Sequence, residues 1–234
     1  MAQDLLTLYN LALSSIGSRG VKLSSPTERS REAEECNLWF PQVRDQVLRA
    51  GWWPCARAVA RLAHAQERDE MRPWEPGDPQ PGWHYTFALP IDYLYPRHLT
   101  GYEWFETGVA ALDGINDVPV LYASVQRPIL VYTKKQENLS VWDSQLFSAV
   151  AAALAAAIAL PLTGKPTWKR EAEERANRLI LEARAASLNE TPIEEDSVPS
   201  WIAARGYAGN GRTRRYIYPY GPLLGESAGG GNVY

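Results

Sequence analysis

Between Asp4 and Ile16 the apolar residues Leu5, Leu8, Tyr9, Ala12, Leu13 and Ile16 recur at spacings of three and four, which predicts a helix. Gly17 and Gly20 end it. In the stretch SSPTE, Ser25 suits an N-cap, Pro26 the first helical position, and Glu28 completes an S-x-x-E capping box. From there Ala33, Cys36, Phe40, Val43, Val47 and Ala50 form one apolar stripe that stops at Gly51. Pro41 falls inside this run and predicts a kink near residues 37–40.

After Trp52-Trp53-Pro54 the period changes. Residues 66–82 are polar, carry four prolines and read as a loop. WHYTFAL (83–89) alternates as a strand does, and residues 94–105, 120–123 and 129–133 are further candidate strands. The segments DGIND (113–117) and QRP (126–128) read as turns. Helical patterning returns at Trp142 and runs to Leu160, where Pro161 and Gly164 close it. This Ala-rich run falls short of the ~20 apolar residues that span a bilayer, so it reads as a buried helix and no membrane is expected. A fourth helix, over about residues 167–187, carries Trp168, Ala172, Ala176, Leu179 and Ala183 on one side. Glu171–Arg175 and Glu174–Arg178 are i, i+4 pairs on its wet face.

The predicted class is α+β. A helical bundle forms from the N- and C-terminal helices, with a small antiparallel β-sheet inserted and an extended C-terminal tail. The boundaries are residues 1–56 for the N-terminal helices, 57–135 for the β-rich insertion, 136–188 for the C-terminal helices and 189–234 for the tail. TPIEEDSVPS (191–200) reads as an acidic linker.

Charge and composition single out that tail. Residues 205–234 hold Arg205, Arg212, Arg214 and Arg215 against Glu226, while the rest of the chain carries 20 basic and 26 acidic side chains. Nine Trp and twelve Tyr are many for 234 residues, and such rings are common where proteins meet. In the tail, Tyr216, Ile217, Tyr218, Tyr220, Leu223 and Leu224 favour burial, yet Pro219, Pro222 and the surrounding glycines deny them a helix or strand. Together with Arg212, Arg214 and Arg215 they are the candidate partner-binding residues. Two cysteines are too few for a disulfide scaffold, and the first residues lack a basic n-region, so no signal peptide is expected.

Candidate chemistry is sparse. H-E-x-x-H and C-x-x-C are both missing from the sequence. Gly164-Lys165 lacks the rest of a phosphate loop and reads as a helix–helix turn. His64, His84 and His98 have no ligand spacing, and Asp113 and Asp117 fit turn formation better than a calcium site. Glu194, Glu195 and Asp196 are adjacent, which is not the opposed arrangement a glycosidase uses. No enzyme activity, cofactor or metal is expected. The arginines and tyrosines of the tail also mix cations with stackable rings, so a nucleic-acid-binding accessory protein is the alternative reading. A tail-associated hydrolase is a third.

Four segments in order carry a resemblance: LYNLALSSIG, the arginine-bearing ERSREAEECNLWFPQVRDQVLRAGWWPCARAVARLA, WHYTFALPIDYLYPRHL, and LFSAVAAALAAAIALPLTGKP. The chain resembles the tail tubular protein A-like head-to-tail adaptors of short-tailed bacteriophages over roughly residues 5–187. The resemblance implies a structural virion protein of the tail and neck, made in the host cytoplasm. It implies a homo-oligomeric ring, dodecameric in the family, that joins a portal protein to a tail nozzle protein and often to fibres or spikes. Genomic DNA passes through the lumen without specific recognition. The family's C-terminal segments commonly clasp the portal, although residues beyond about 187 match no family motif. The free protein is expected to be a monomer whose tail proteases trim.

Overall fold

The computed structural model describes residues 4–17, 22–69, 71, 73, 78–112 and 116–190. Met1–Thr191 forms one compact unit, and a second, Pro192–Tyr234, lies outside the described residues. In chain order the first unit contains α1 (Leu5–Ser15), α2 (Arg31–Ala50), β1 (Arg57–Arg61), β2 (His64–Glu67), β3 (Tyr85–Ala88), β4 (Tyr93–Leu99), β5 (Phe105–Ala111), β6 (Asp117–Ala123), β7 (Ile129–Lys134), α3 (Ser144–Thr163) and α4 (Pro166–Glu190). The class is α+β, and the strand pairs are antiparallel.

Helix α1 starts where its pattern begins. The Asp4 carboxylate caps it by accepting from the Thr7 N–H at 2.7 Å. Gly17 ends it at φ +71°, and the Trp168 ring of α4 lies 2.6 Å from where a Cβ would stand. Alanine there would be strained by both the backbone and the ring. Gly20 lies outside the described residues.

Helix α2 does not start at the predicted capping box. Ser25 Oγ accepts from the Thr27 N–H at 3.2 Å, and Glu28 accepts from the backbone and hydroxyl of Ser24, each at 2.9 Å. The carbonyl of Pro26, which a helix would reserve for residue 30, instead accepts from the Asn37 side chain at 2.8 Å. This side-chain competition holds residues 25–28 as a turn. The helix begins one turn later, with Ser30 Oγ accepting from the Ala33 N–H. It then runs unbroken through Pro41. Ala33, Cys36, Phe40, Val43 and Val47 are buried as the stripe predicts, joined by Arg44 and Leu48, while Ala50 is exposed.

The strands form two sheets where one was expected, in the orders β1-β7-β4 and β2-β3-β6-β5. The predicted loop over 66–82 begins inside β2. The predicted strand over 94–105 is cut by Gly101 and Tyr102, both at positive φ, which turn the chain so that β5 pairs with β6. A core of Leu62, Phe87, Leu99, Leu121, Ala123, Leu130 and Tyr132 draws from both sheets.

Helix α3 is apolar all round because it is buried on most sides. Its residues share one core with α1, α2 and parts of α4, and Trp53, Leu94 and Trp142 join that core. Among the described residues it is the helix long and apolar enough to cross a membrane, and its neighbours supply that burial here. Pro161 does not close it. The Pro161 carbonyl accepts from Arg31 at 2.6 Å, and the helix continues to a left-handed cap at Gly164 (φ +67°), whose N–H donates to Leu160 O. Gly164-Lys165 is the turn into α4, and the stripe residues Ala176 and Ala183 are buried. The i, i+4 ion pair on α4 is Lys169–Glu173 at 3.6 Å; among the described residues the two predicted glutamate–arginine pairs do not form.

Candidate interaction surfaces

The end of α2 turns sharply at Gly51-Trp52-Trp53. Trp53 folds inward, 1% exposed, and its indole N–H donates to the Val47 carbonyl at 2.9 Å. A Cβ on Gly51 would stand 2.5 Å from that ring, so the close approach requires glycine. Trp52 points the other way, and its carbonyl accepts from the Ser187 hydroxyl of α4.

Arg97, on β4, fastens this turn to the strands. Its guanidinium donates to the carbonyls of Leu48 (3.4 Å), Arg49 (3.2 Å) and Gly51, and to Thr133 Oγ1 (2.8 Å). These carbonyls are the unpaired acceptors at the end of α2, where a cation is favoured. Burial holds the Arg97 pKa below its usual value, and the neighbouring Tyr95 works against that shift. The group stays charged.

Around Arg97 the rings and cations form a ladder. Arg57 lies 5.1 Å over Trp52, Trp52 stacks on His98 at 5.8 Å, and His98 stacks on Tyr102 at 5.4 Å. Arg97 and Arg49 lie 4.8 and 5.5 Å over Tyr95. Tyr102 has φ +56°, an uncommon state for a bulky residue, and its ring lies against His98. Two residues on, Trp104 is 85% exposed.

That turn delivers the chain into β5, an edge strand of the four-stranded sheet. Edges are commonly blunted by proline, bulges or charge. Strand β4 carries Pro96 and two register shifts, while β2 has four residues, a register shift and Glu67. Strand β5 pairs with β6 over seven residues without a shift and exposes Val109. Gly108 gives way to the Tyr122 ring, 2.7 Å from a built Cβ.

A third surface is a groove of about 400 Å³ between α2, α3 and α4, lined by residues including Trp39, Val43, Ala153, Ala157 and Leu160. Nucleophiles are held quiet: burial pushes the Cys36 thiol up to about 12, helped by Glu32 and Glu35, and the Cys55 thiol up to about 11, helped by Asp143. Among the described residues no group of three or more metal-ligating side chains gathers.

The nine tail residues singled out from sequence, Arg212, Arg214, Arg215, Tyr216, Ile217, Tyr218, Tyr220, Leu223 and Leu224, lie outside the described residues, as do Asp113, Glu194, Glu195 and Asp196. His64 is an exposed residue of β2, His84 lies 3.0 Å from Ser124 Oγ, and His98 sits in the ladder. Asp117 opens β6. The ladder itself was not anticipated. Its signal was the Tyr95-x-Arg97 alternation in YLYPRHL, two residues on one face of a strand. Comparison with protein-family models and with curated proteins finds no match.

Proposed function

We propose that the chain is a non-enzymatic structural protein that joins other virion proteins as a head-to-tail adaptor. The observation that carries this reading is the apolar exposure of the strand region. Ile91, Trp104, Val109 and Tyr102 are 104, 85, 64 and 63% exposed, and Tyr102 holds a strained backbone. Exposed aromatic rings are enriched where proteins meet, which is the support these residues give the reading. In the adaptor reading, the helices from the two ends form the bundle that stacks in a ring. The insertion over 57–135 meets neighbouring subunits, and it and the tail from 189 contact portal and nozzle, with DNA in the lumen. Arg212, Arg214, Arg215 and the apolar tail residues are the docking anchors, and the protein resides in the virion neck.

The test images the full chain mixed with portal rings from short-tailed phages. Decorated or extended portals are the expected result. Bare portals beside unassembled protein sink the reading.

A second reading has its own support. Arg49, Arg57 and Arg97 gather over Trp52 and Tyr95, an arrangement that grips phosphates and stacks bases. Salt-sensitive retention of single-stranded DNA by the full chain, lost in Arg49→Ala with Arg57→Ala, would favour it.

A further inference from the structure

We infer that the open edge of β5 pairs with the β1 edge of a second copy of this chain, joining subunits head to tail through a continuous sheet. The inference rests on the adaptor reading and specifies its subunit contact.

Among the described residues, two of the four sheet edges lack a bulge or proline: β1, in register with β7 over five residues, and β5, in register with β6 over seven. The hydrogen bonds fix which backbone groups face outward. The Leu62 N–H donates to the Pro128 carbonyl, so Leu62, Ala60 and Ala58 turn their backbone groups toward β7. Antiparallel alternation then leaves those of Arg57, Val59 and Arg61 on the open side. The Leu89 N–H donates to the Pro119 carbonyl, which turns Pro119 and Leu121 toward β3 and leaves Val120 and Tyr122 facing β5. Their partners Gly108 and Glu106 are therefore bonded, and Thr107 and Val109 present outward groups.

The side chains on these edges complement each other. Val59 is 50% exposed and Val109 64%, a matched pair of β-branched residues. Aligning them antiparallel sets Arg57 opposite Ala111 and Arg61 opposite Thr107. Ala111 is paired with Asp117 on β6. Adjacent strands lie about 4.8 Å apart, so Asp117 is roughly 10 Å from Arg57, a span an extended arginine and a carboxylate close together. Pairing β1 with its own copy about Val59 would instead set Arg57 against Arg61, which like charges oppose. Two different edges that meet make a heterologous contact, the kind that generates rings.

Cysteine cross-linking of the full chain tests the contact, because the two native thiols are half-buried or buried and held protonated. A directly bonded antiparallel pair has Cα atoms about 5.5 Å apart, within disulfide range. Val59→Cys mixed with Val109→Cys at high protein concentration, where oxidation traps even a transient pairing of monomers, should give a disulfide-linked dimer. The yield should be at least tenfold above that of Met71→Cys, a fully exposed control. The double variant in one chain should give a ladder of multimers. Asp117→Lys should suppress the cross-link, and adding Arg57→Glu should restore it. Equal yield from Val109→Cys alone overturns the inference in favour of a two-fold β5 dimer, and yield at control level overturns it outright. Portals decorated without the cross-link leave the adaptor reading standing and this contact refuted. The cross-link without portal binding does the reverse.

Discussion

The helical part and the strand part of this protein differ in how much apolar material they bury and in what kind they leave exposed. In the helices, Leu8, Leu13, Leu48, Leu146, Leu154 and Ile158 are fully buried, and α3 turns apolar residues in nearly every direction because neighbours receive them. The strand part rests on a small core between two sheets and leaves Ile91, Tyr102, Trp104 and Val109 in water. Burial is the main favourable term in folding, so the first part stabilises the chain and the second presents a surface. The difference lies in kind: the helices also leave Leu38, Leu181 and Leu188 exposed, but among the described residues the large rings left in water, Tyr95, Tyr102 and Trp104, all belong to the strand part.

The sharpest way to break that comparison is at the joint. Trp53 is buried in the helical core although it belongs to the turn that leads into β1. Trp53→Ala empties a large site and strands the Val47 carbonyl acceptor, so it should cost roughly 3–5 kcal/mol of unfolding free energy. Urea unfolding followed by far-ultraviolet circular dichroism checks this. Trp104→Ala, at an exposed ring, should change stability by less than about 0.5 kcal/mol. Comparable losses from both would mean the strand surface is as structural as the helical core.

Arg97 comes next. Arg97→Ala releases three carbonyls at the end of α2 and the Thr133 hydroxyl, and hydrogen bonds to charged groups contribute roughly 1.5–3 kcal/mol. Arg97→Lys should recover less than half of the loss, because an ammonium cannot reproduce the planar fork over Tyr95 and the carbonyls. If the two parts depend on this clasp, calorimetry of Arg97→Ala should resolve a lower-melting transition that the native chain lacks. A single unshifted transition would show that the parts are joined elsewhere.

How far the sequence revealed this division depended on period and length. Helices α1, α3 and α4 were legible because long runs repeat at three and four, and each has a visible cap or stripe. Strands β1 and β2 were not, since RAVAR and HAQE are short, and their half-buried positions are Ala58 and Ala60 in β1, which read weakly as apolar, and the polar Gln66 in β2. The single long strand expected over 94–105 failed at Tyr102, whose positive φ no propensity announces in a tyrosine. The ladder was hidden for a different reason. Trp52, Arg57 and the neighbours Arg97 and His98 come from three parts of the chain, the turn after α2, β1 and β4. The antiparallel pairing of β4 and β1 with β7, with a register shift between Pro96 and His98, brings them together.

The start of α2 gives a smaller and cleaner test. Ser30→Ala removes the side chain that accepts from the Ala33 N–H and should cost about 1 kcal/mol. Ser25→Ala touches a turn outside the helix and should cost less than half as much. Thermal unfolding of the two variants side by side decides it. If Ser25→Ala is the more damaging, the capping box predicted from sequence governs the helix and the turn at residues 25–28 is not the stable arrangement.

The smallest effect is expected at Thr86, read against Thr133, one buried threonine in each sheet. Thr133, on β7, accepts a hydrogen bond from Arg97, so Thr133→Val leaves a charged donor short of a partner and should destabilise by about 1–2 kcal/mol. Thr86, on β3, is fully buried, and its hydroxyl has no hydrogen-bond partner among the described residues. A buried hydroxyl that bonds to nothing loses its solvation without compensation, and valine has the same shape with a methyl in its place. Thr86→Val should therefore be neutral or raise stability by up to about 1 kcal/mol, which moves the melting temperature up by about 2–4 °C in a domain of this size. The opposite signs at two threonines of similar burial would show that the clasp to α2 engages the three-stranded sheet while the sheet bearing β5 carries an unmet polar group. A destabilising Thr86→Val would mean that the hydroxyl is satisfied after all, through a buried water. Differential scanning calorimetry of the two valine variants against the native chain measures both signs in one experiment.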